Sequence, residues 1–209
     1  MLFDLHVHTA HSACSSLAED DLLRHARRRG LDGVCITDHG TTAVRHQVAE
    51  GVQEDGLCVL IGVEHSTPDG DFLVFDPSPN FPPDLPARDL LRGVGEAGGV
   101  AVAAHPCRLG RPVGEHLFRE GLCRVVESIN GRSTREELQK VQRLLDRYPL
   151  VTCGGSDAHC AEELGRVVTR FDVPIRSQAD LVRALAGGLC RPLRGTPGTG
   201  APVPLAPAA

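Results

Sequence analysis

Where the histidines and carboxylates fall constrains this chain most. Short apolar runs alternate with amphipathic stretches, and the runs finish, in chain order, as DLHVH, ITDH, GVEH, AAHP, ESIN and GGSDAH. Ligand-type residues therefore collect at the C-terminal ends of the expected strands. Repeated β-then-α units with buried strands predict an α/β fold on a parallel sheet, either closed as a barrel or open and doubly wound. In a β/α barrel those ends share one mouth, so residues distant in sequence converge there. The clustering favours the barrel. No G-x-G-x-x-G or Walker pattern follows any strand, which leaves a nucleotide-binding open sheet without support.

The periodicities predict strands at Phe3 to His8, at GVCITDH, through LCVLIGVEHS as one strand, at DGDFLVF, GVAVAAH, CRVVESI, LVTCGGSD and RVVTRF. Helices are expected at Leu17 to Arg29, Thr42 to Glu54, Ala87 to Ala97, near Gly114 to Glu120, Thr134 to Tyr148 and Gln178 to Ala186. Phe75 to Pro86 carries five prolines and reads as a surface loop. One domain over 1–194 is followed by a Gly/Pro/Ala-rich stretch, 195–209, expected to be a flexible tail.

Composition narrows the function. The 209 residues carry a formal charge of -5, which argues against a general polyanion-binding surface and makes long nucleic acid an unexpected partner. No leader-like segment or membrane-length apolar run stands out, and the eight cysteines form neither a C-x-x-C pair nor a disulfide framework. A cytoplasmic protein with reduced thiols and no membrane partner is the expectation; oligomeric state is left open.

His6, His8, His39, Glu64, His105, Asp157 and His159 lie at the ends of five strands. Any one alone would more often be a packed or solvated side chain. Their convergence predicts a polynuclear metal centre. Imidazole and carboxylate ligands suit Zn, Mn or Fe, and disfavour an iron–sulfur cluster. His6 and His8, two apart on a strand, point the same way. Glu64 can bridge two cations through its two oxygens, and a pair of metals can bind both an attacking hydroxide and a phosphoryl oxygen.

DLHVHT, TDH, GVE, AHP and GGSDAH, in this order and spacing, resemble the motifs of the PHP (polymerase and histidinol phosphatase) family, over roughly residues 2–190; INGR is similar to a stretch of its short members. The resemblance implies a distorted (β/α)7 TIM-like barrel with two or three divalent metal ions at its C-terminal mouth, and a phosphoesterase activity. By the same resemblance, His6 and His8 hold a first metal with Glu64 and Asp157. Glu64 bridges to a second, which His105 also binds, and His39 and His159 hold a third. Asp38 is expected to orient an imidazole and is counted with His39 and His159 among the catalytic groups.

Two departures from the family pattern stand out. Gly70-Asp71 takes the place of a Gly-His pair, so either Asp71 substitutes as a ligand for the second metal or that second site is weaker. Ala13 or Cys14 falls where the third metal usually gains a ligand, so Cys14 is a further candidate. His11 is expected at the surface, and His25, His46, His65 and His116 receive no role. Arg108 and Arg132, just beyond strand ends, are candidates to clamp substrate phosphate.

The function expected is hydrolysis of a phosphate monoester or diester by attack of a metal-bound hydroxide, with His39 or His159 passing a proton to the leaving oxygen. The substrate is expected to be a small phosphorylated metabolite or a nucleotide. An amidohydrolase-like deaminase or amidase is the competing enzyme. Its binuclear members bridge metals with a carboxylated lysine, whereas the single lysine here, Lys140, falls within an expected helix. A PHP-like barrel retained only as an interaction module is the non-enzymatic alternative, and it should show a broken ligand set.

Overall fold

The computed structural model describes residues 1–76 and 81–195, and the backbone of 202–203. In chain order the elements are β1 (Leu2–Val7), α1 (Glu19–Arg28), β2 (Gly33–Ile36), a 3-10 turn (Ala43–His46), β3 (Gly51–Val52), β4 (Cys58–Ile61), β5 (Val63–Thr67) and β6 (Gly70–Phe75). They continue with α2 (Ala87–Glu96), β7 (Val100–Ala103), α3 (Glu115–Arg119), β8 (Val125–Asn130), α4 (Arg135–Leu145) and β9 (Val151–Gly155). β10 (Val167–Phe171), α5 (Gln178–Ala186), β11 (Cys190–Gly195) and β12 (Pro202–Val203) complete the chain. Five of the six expected helices form. Thr134 caps α4 through a reciprocal capping box with Glu137, and Ser177 caps α5 by accepting from the Asp180 amide.

The strands make a mixed α/β fold of two sheets, ordered β12-β11-β10-β1-β2-β4-β3 and β5-β6-β7-β8-β9. No ladder closes them into one barrel among the described residues. The expected parallel sheet is met in part: β1–β2, β2–β4, β7–β8 and β8–β9 pair parallel, while β1–β10, β5–β6 and β6–β7 pair antiparallel. The two sheets touch at isolated bridges, Val7 with Ala158 and His39 with Glu64. Both bridges lie at the strand ends that carry the histidines.

A central core joins Phe3, Leu5, Leu60, Leu73, Phe75, Val102, Val125 and Phe171 from both sheets, with Leu181 and Leu185 of α5 packed among them. Outside it, α1 packs Leu22 and Ala26 near Val34 and Val59. On the other side, α2, α3 and α4 cover the second sheet through Leu90, Leu117 and Leu144. The apolar strand faces are thus sandwiched, which is why these strands read as near-continuous apolar runs.

Two expectations fail locally. LCVLIGVEHS is not one strand: it divides at Gly62 into β4 and β5, which belong to different sheets. A Cβ at Gly62 would lie 2.6 Å from the Val74 carbonyl oxygen, so only glycine allows this crossing. Thr42 to Glu54 is not a helix. It forms the short 3-10 turn and then β3, whose Gly51 has φ +116°, a value closed to a right-handed helix. Cys190–Gly195, unassigned by periodicity, pairs antiparallel with β10. The 195–209 tail lies outside the described residues apart from Gly195 and 202–203, and so do residues 77–80 of the proline-rich segment.

Candidate metal centre

Strand bulges aim the side chains of the centre. β1 slips against β2 between Asp4 and Val7, so Phe3 and Leu5 enter the central core whereas Val7 packs against the α1 layer. β8 slips likewise against β9 between Glu127 and Ile129. Such bulges add a residue on one strand and re-aim the side chains beyond it, and they deliver His6, His8, Glu127 and Asn130 to one place. At Gly155 a Cβ would sit 2.4 Å from the His6 Cβ and 2.8 Å from Glu127 Oε1, so β9 can approach this cluster only as glycine. His105 and Asp157 have positive φ, +30° and +54°. For residues with a Cβ that is strained backbone, which concentrates at functional sites.

The donors converge closely. His6 Nε2 lies 3.1 Å from His8 Nε2, 3.3 Å from Glu64 Oε2 and 3.6 Å from Asp157 Oδ1. His8 Nε2 lies 3.2 Å from Glu64 Oε2 and 3.4 Å from Asp157 Oδ1. All four residues are buried, at most 2% exposed. Donors about 2.1 Å from a tetrahedral ion stand about 3.4 Å apart, and the His6, His8 and Asp157 atoms match that spacing for one cation, with Glu64 Oε2 beside both imidazoles. The other oxygen of Glu64 is 2.9 Å from His105 Nε2, and His39 Nδ1 lies 3.1 Å from Glu64 Oε2. Three overlapping donor groups result: His6, His8 and Asp157; His6, Glu64 and His105; and His8, His39 and His159.

Hydrogen bonds prepare the imidazoles. His6 Nδ1–H donates to Glu127 Oε1 at 3.0 Å, and His159 Nδ1–H donates to the Asp157 carbonyl at 2.8 Å. His8 Nδ1–H reaches Ser12 Oγ at 3.4 Å, and that hydroxyl donates to Asp38 Oδ1 at 2.5 Å. With a cation bound, each partner would keep the ring proton on Nδ1 and leave the Nε2 lone pair to the ion. Asp38 also accepts from the Thr9 amide and hydroxyl. It therefore meets His8 through Ser12, the side of the imidazole it was expected to orient, and belongs to none of the donor groups.

Electrostatics divide the site. Burial pushes His6 down, but Glu127, Asp157 and Glu64 together outweigh it and hold the imidazole well above its usual range. Burial opposes ionisation of Glu64 and Asp157 as well, yet the surrounding histidines keep both carboxyls below their ordinary values, Arg108 assisting at Asp157. Burial lowers His39 and His159.

The other expected site residues fall around these donors. Arg108 donates to Asp157 Oδ2 at 2.7 Å and to Asn130 Oδ1 at 3.3 Å. Arg132 pairs with Glu163 at 3.1 Å and lies 3.5 Å from His159 Nδ1. Both arginines are partly exposed beside the donors. Cys14 is exposed and belongs to none of the donor groups. Partial desolvation of its thiol, and the negative charge of Glu64 and Asp157, raise its pKa and disfavour the thiolate that would ligate. Asp71 is buried but ion-paired to Arg111 at 2.8 Å, also outside the groups. Lys140 pairs with Glu136 on α4, away from the donors.

Sequence reasoning gave no role to Glu127, Ser12, Thr9 or Asn130. ESIN stood among the polar strand ends, so Glu127 and Asn130 had a signal. Ser12 and Thr9 had none, being common residues in a turn.

A mixed α/β fold and buried sets of histidines and carboxylates at cation spacing define a metal-dependent hydrolase. The chain belongs to the PHP family: residues 4–148 match the PHP domain, and residues 135–190 match the family described as PHP-associated. An uncharacterized protein of Methanocaldococcus jannaschii is 29% identical over 129 residues, 56% of this chain and 75% of that protein. PsfC from Pseudomonas syringae has a similar fold, with a TM-score of 0.74 at 20% identity over 93% of this chain and 91% of that one. A candidate metal-dependent phosphoesterase from Bifidobacterium adolescentis gives a TM-score of 0.62 at 21% identity, over 75% and 87%.

Proposed function

We propose that this chain is a phosphoesterase that cleaves a monoester or diester of a small metabolite or nucleotide, with two or three Zn, Mn or Fe ions held by its three donor groups. The observation that carries the reading is the approach of His6 and His8 Nε2 to each other, to Glu64 and to Asp157, between 3.1 and 3.6 Å in a buried cluster. Bound there, such cations supply Lewis acidity toward a phosphoryl oxygen and lower the pKa of a coordinated water.

The chain's own residues do the rest. Glu64 faces His105 with one oxygen and His6, His8 and His39 with the other, so one carboxylate serves two cation positions. His39 and His159, neutral because their pKa values are lowered, can accept or hand on a proton at the partly exposed rim. Arg108 and Arg132 have further N–H groups to offer an anionic oxygen, with Asp157 and Glu163 orienting them. Pairing of these arginines with carboxylates, and the charge of -5, favour a small phosphate ligand over a long polyanion. The same reading takes the two sheets, stitched at their site ends, as a distorted (β/α)7 barrel. Eight unpaired cysteines support a reducing, cytoplasmic setting. No helix among the described residues is long and apolar enough to cross a membrane.

The test is metal analysis of the purified protein together with phosphate release from sugar phosphates, nucleotides, histidinol phosphate and a diester. Chelator-sensitive release, restored by added metal, is expected. Ammonia release from amines without any phosphate release would transfer the chain to the deaminase reading.

A further inference from the structure

Glu127 is 1% exposed and meets both halves of the centre. Its Oε1 accepts from His6 Nδ1–H at 3.0 Å. Its Oε2 accepts from the His105 backbone N–H at 2.9 Å, at the residue whose φ is +30°, and from Asn130 Nδ2 at 3.0 Å. Asn130 is fixed in turn: its Oδ1 accepts from the Arg132 backbone N–H at 2.9 Å and from Arg108 at 3.3 Å, so its amide N–H groups face Glu127 and Asp157.

We propose that Glu127 is a positioning residue that couples the first two cation positions, locking His6 in the tautomer with a bare Nε2 and holding the strained His105 backbone over Glu64. Three donors surround this carboxylate, and each oxygen has an assigned task. A glutamine in its place has one acceptor oxygen. Two N–H donors at the Oε2 position claim that oxygen, which turns the glutamine N–H group toward His6 Nδ1. His6 Nδ1 must then accept, and its proton moves to Nε2, where a cation has to bind. A shape-conserving change thus reverses the ligand. Gly155 serves the same contact, because any Cβ there would strike Glu127 Oε1 and His6.

The inference rests on the proposed metal-holding role of the centre, and the experiment separates the two. In zinc-loaded wild-type protein, a long-range 1H–15N spectrum of the histidines, with His6 assigned by loss in His6→Gln, should show the His6 proton on Nδ1 and none on Nε2. Glu127→Gln, with folding checked by circular dichroism, should lose zinc affinity by about 10–100-fold in chelator competition. A purely structural role would lower the melting temperature of the metal-free protein and leave that affinity unchanged. A His6 proton on Nε2 in the wild type, or a folded Glu127→Gln with wild-type zinc affinity, overturns the inference alone. Wild-type protein that holds no metal overturns both readings. Where the variant does not fold, the wild-type spectrum still decides: the His6 Nδ1 proton should carry the downfield shift of a hydrogen bond to a carboxylate, and a proton without that shift overturns the inference.

Discussion

His6 and His39 lie 3.3 and 3.1 Å from the same oxygen of Glu64, yet their imidazoles are driven in opposite directions. His6 is fully buried among Glu64, Asp157 and Glu127, and their charges overcome the desolvation that would otherwise lower it. His39 has a side chain 45% exposed, and Glu64 does not offset the desolvation and the repulsion from His8 and His6. His159, at the same rim, shifts downward as well. The interior of the centre is therefore built to hold positive charge, whereas at its rim desolvation favours the neutral imidazole.

Breaking the interior should have the largest effect. Glu64→Gln or Asp157→Asn should abolish phosphate release and metal retention. In the metal-free protein, Glu64→Gln should also cost about 3–5 kcal/mol in a urea melt, because it leaves His6 as a buried charge with a partner removed. Wild-type turnover in either variant would sink the assignment.

A pH experiment sharpens the contrast. His6, raised above 6.5 in the metal-free state, stabilises the fold below that pH and loses the contribution as pH rises through its folded value. Glu64 and Asp157, lowered from 4.5 and 3.8, stabilise above those values and lose the contribution as pH falls. Metal-free stability should thus peak between these limits. Metal uptake should release protons near neutral pH, with affinity rising as pH rises. Titration calorimetry in buffers of different ionisation enthalpy measures the release, and zero release would contradict a protonated His6.

At the rim, the effects should be smaller. His159→Ala should reduce kcat by about 10²–10⁴-fold if it moves a proton, and should flatten the acidic limb of the pH–rate profile. Arg132→Ala should raise KM more than it lowers kcat, as expected of a phosphate contact that is not itself buried. Cys14→Ser should leave metal content and activity unchanged. A lost equivalent of metal in that variant would return the thiol to the ligand set.

Much of this could be read from the one-dimensional pattern, for physical reasons. Strand ends in an α/β fold share a face, so the ordered histidines and carboxylates announced a common mouth before any coordinates. Caps at Thr134 and Ser177 are local chemistry, and the helices they begin formed where the sequence placed them. Gly62 and Gly51 were harder, because the sheet to which a strand belongs depends on partners far along the chain. ESIN marked Glu127 as a polar strand end, but its partner was hidden for the same reason: 121 residues separate it from His6, and a bulge in β8 brings the two together.

By itself the sequence determined the ligand chemistry, because side-chain type and order along the strands are local properties. Tertiary structure alone decided that, within DLHVHTAHSAC, His6 and His8 bring their Nε2 atoms to 3.1 Å and Ser12 relays His8 to Asp38 through its hydroxyl, while Cys14 belongs to none of the donor groups. Tautomer, burial and charge are set by neighbours in space, and no spacing along the chain encodes them.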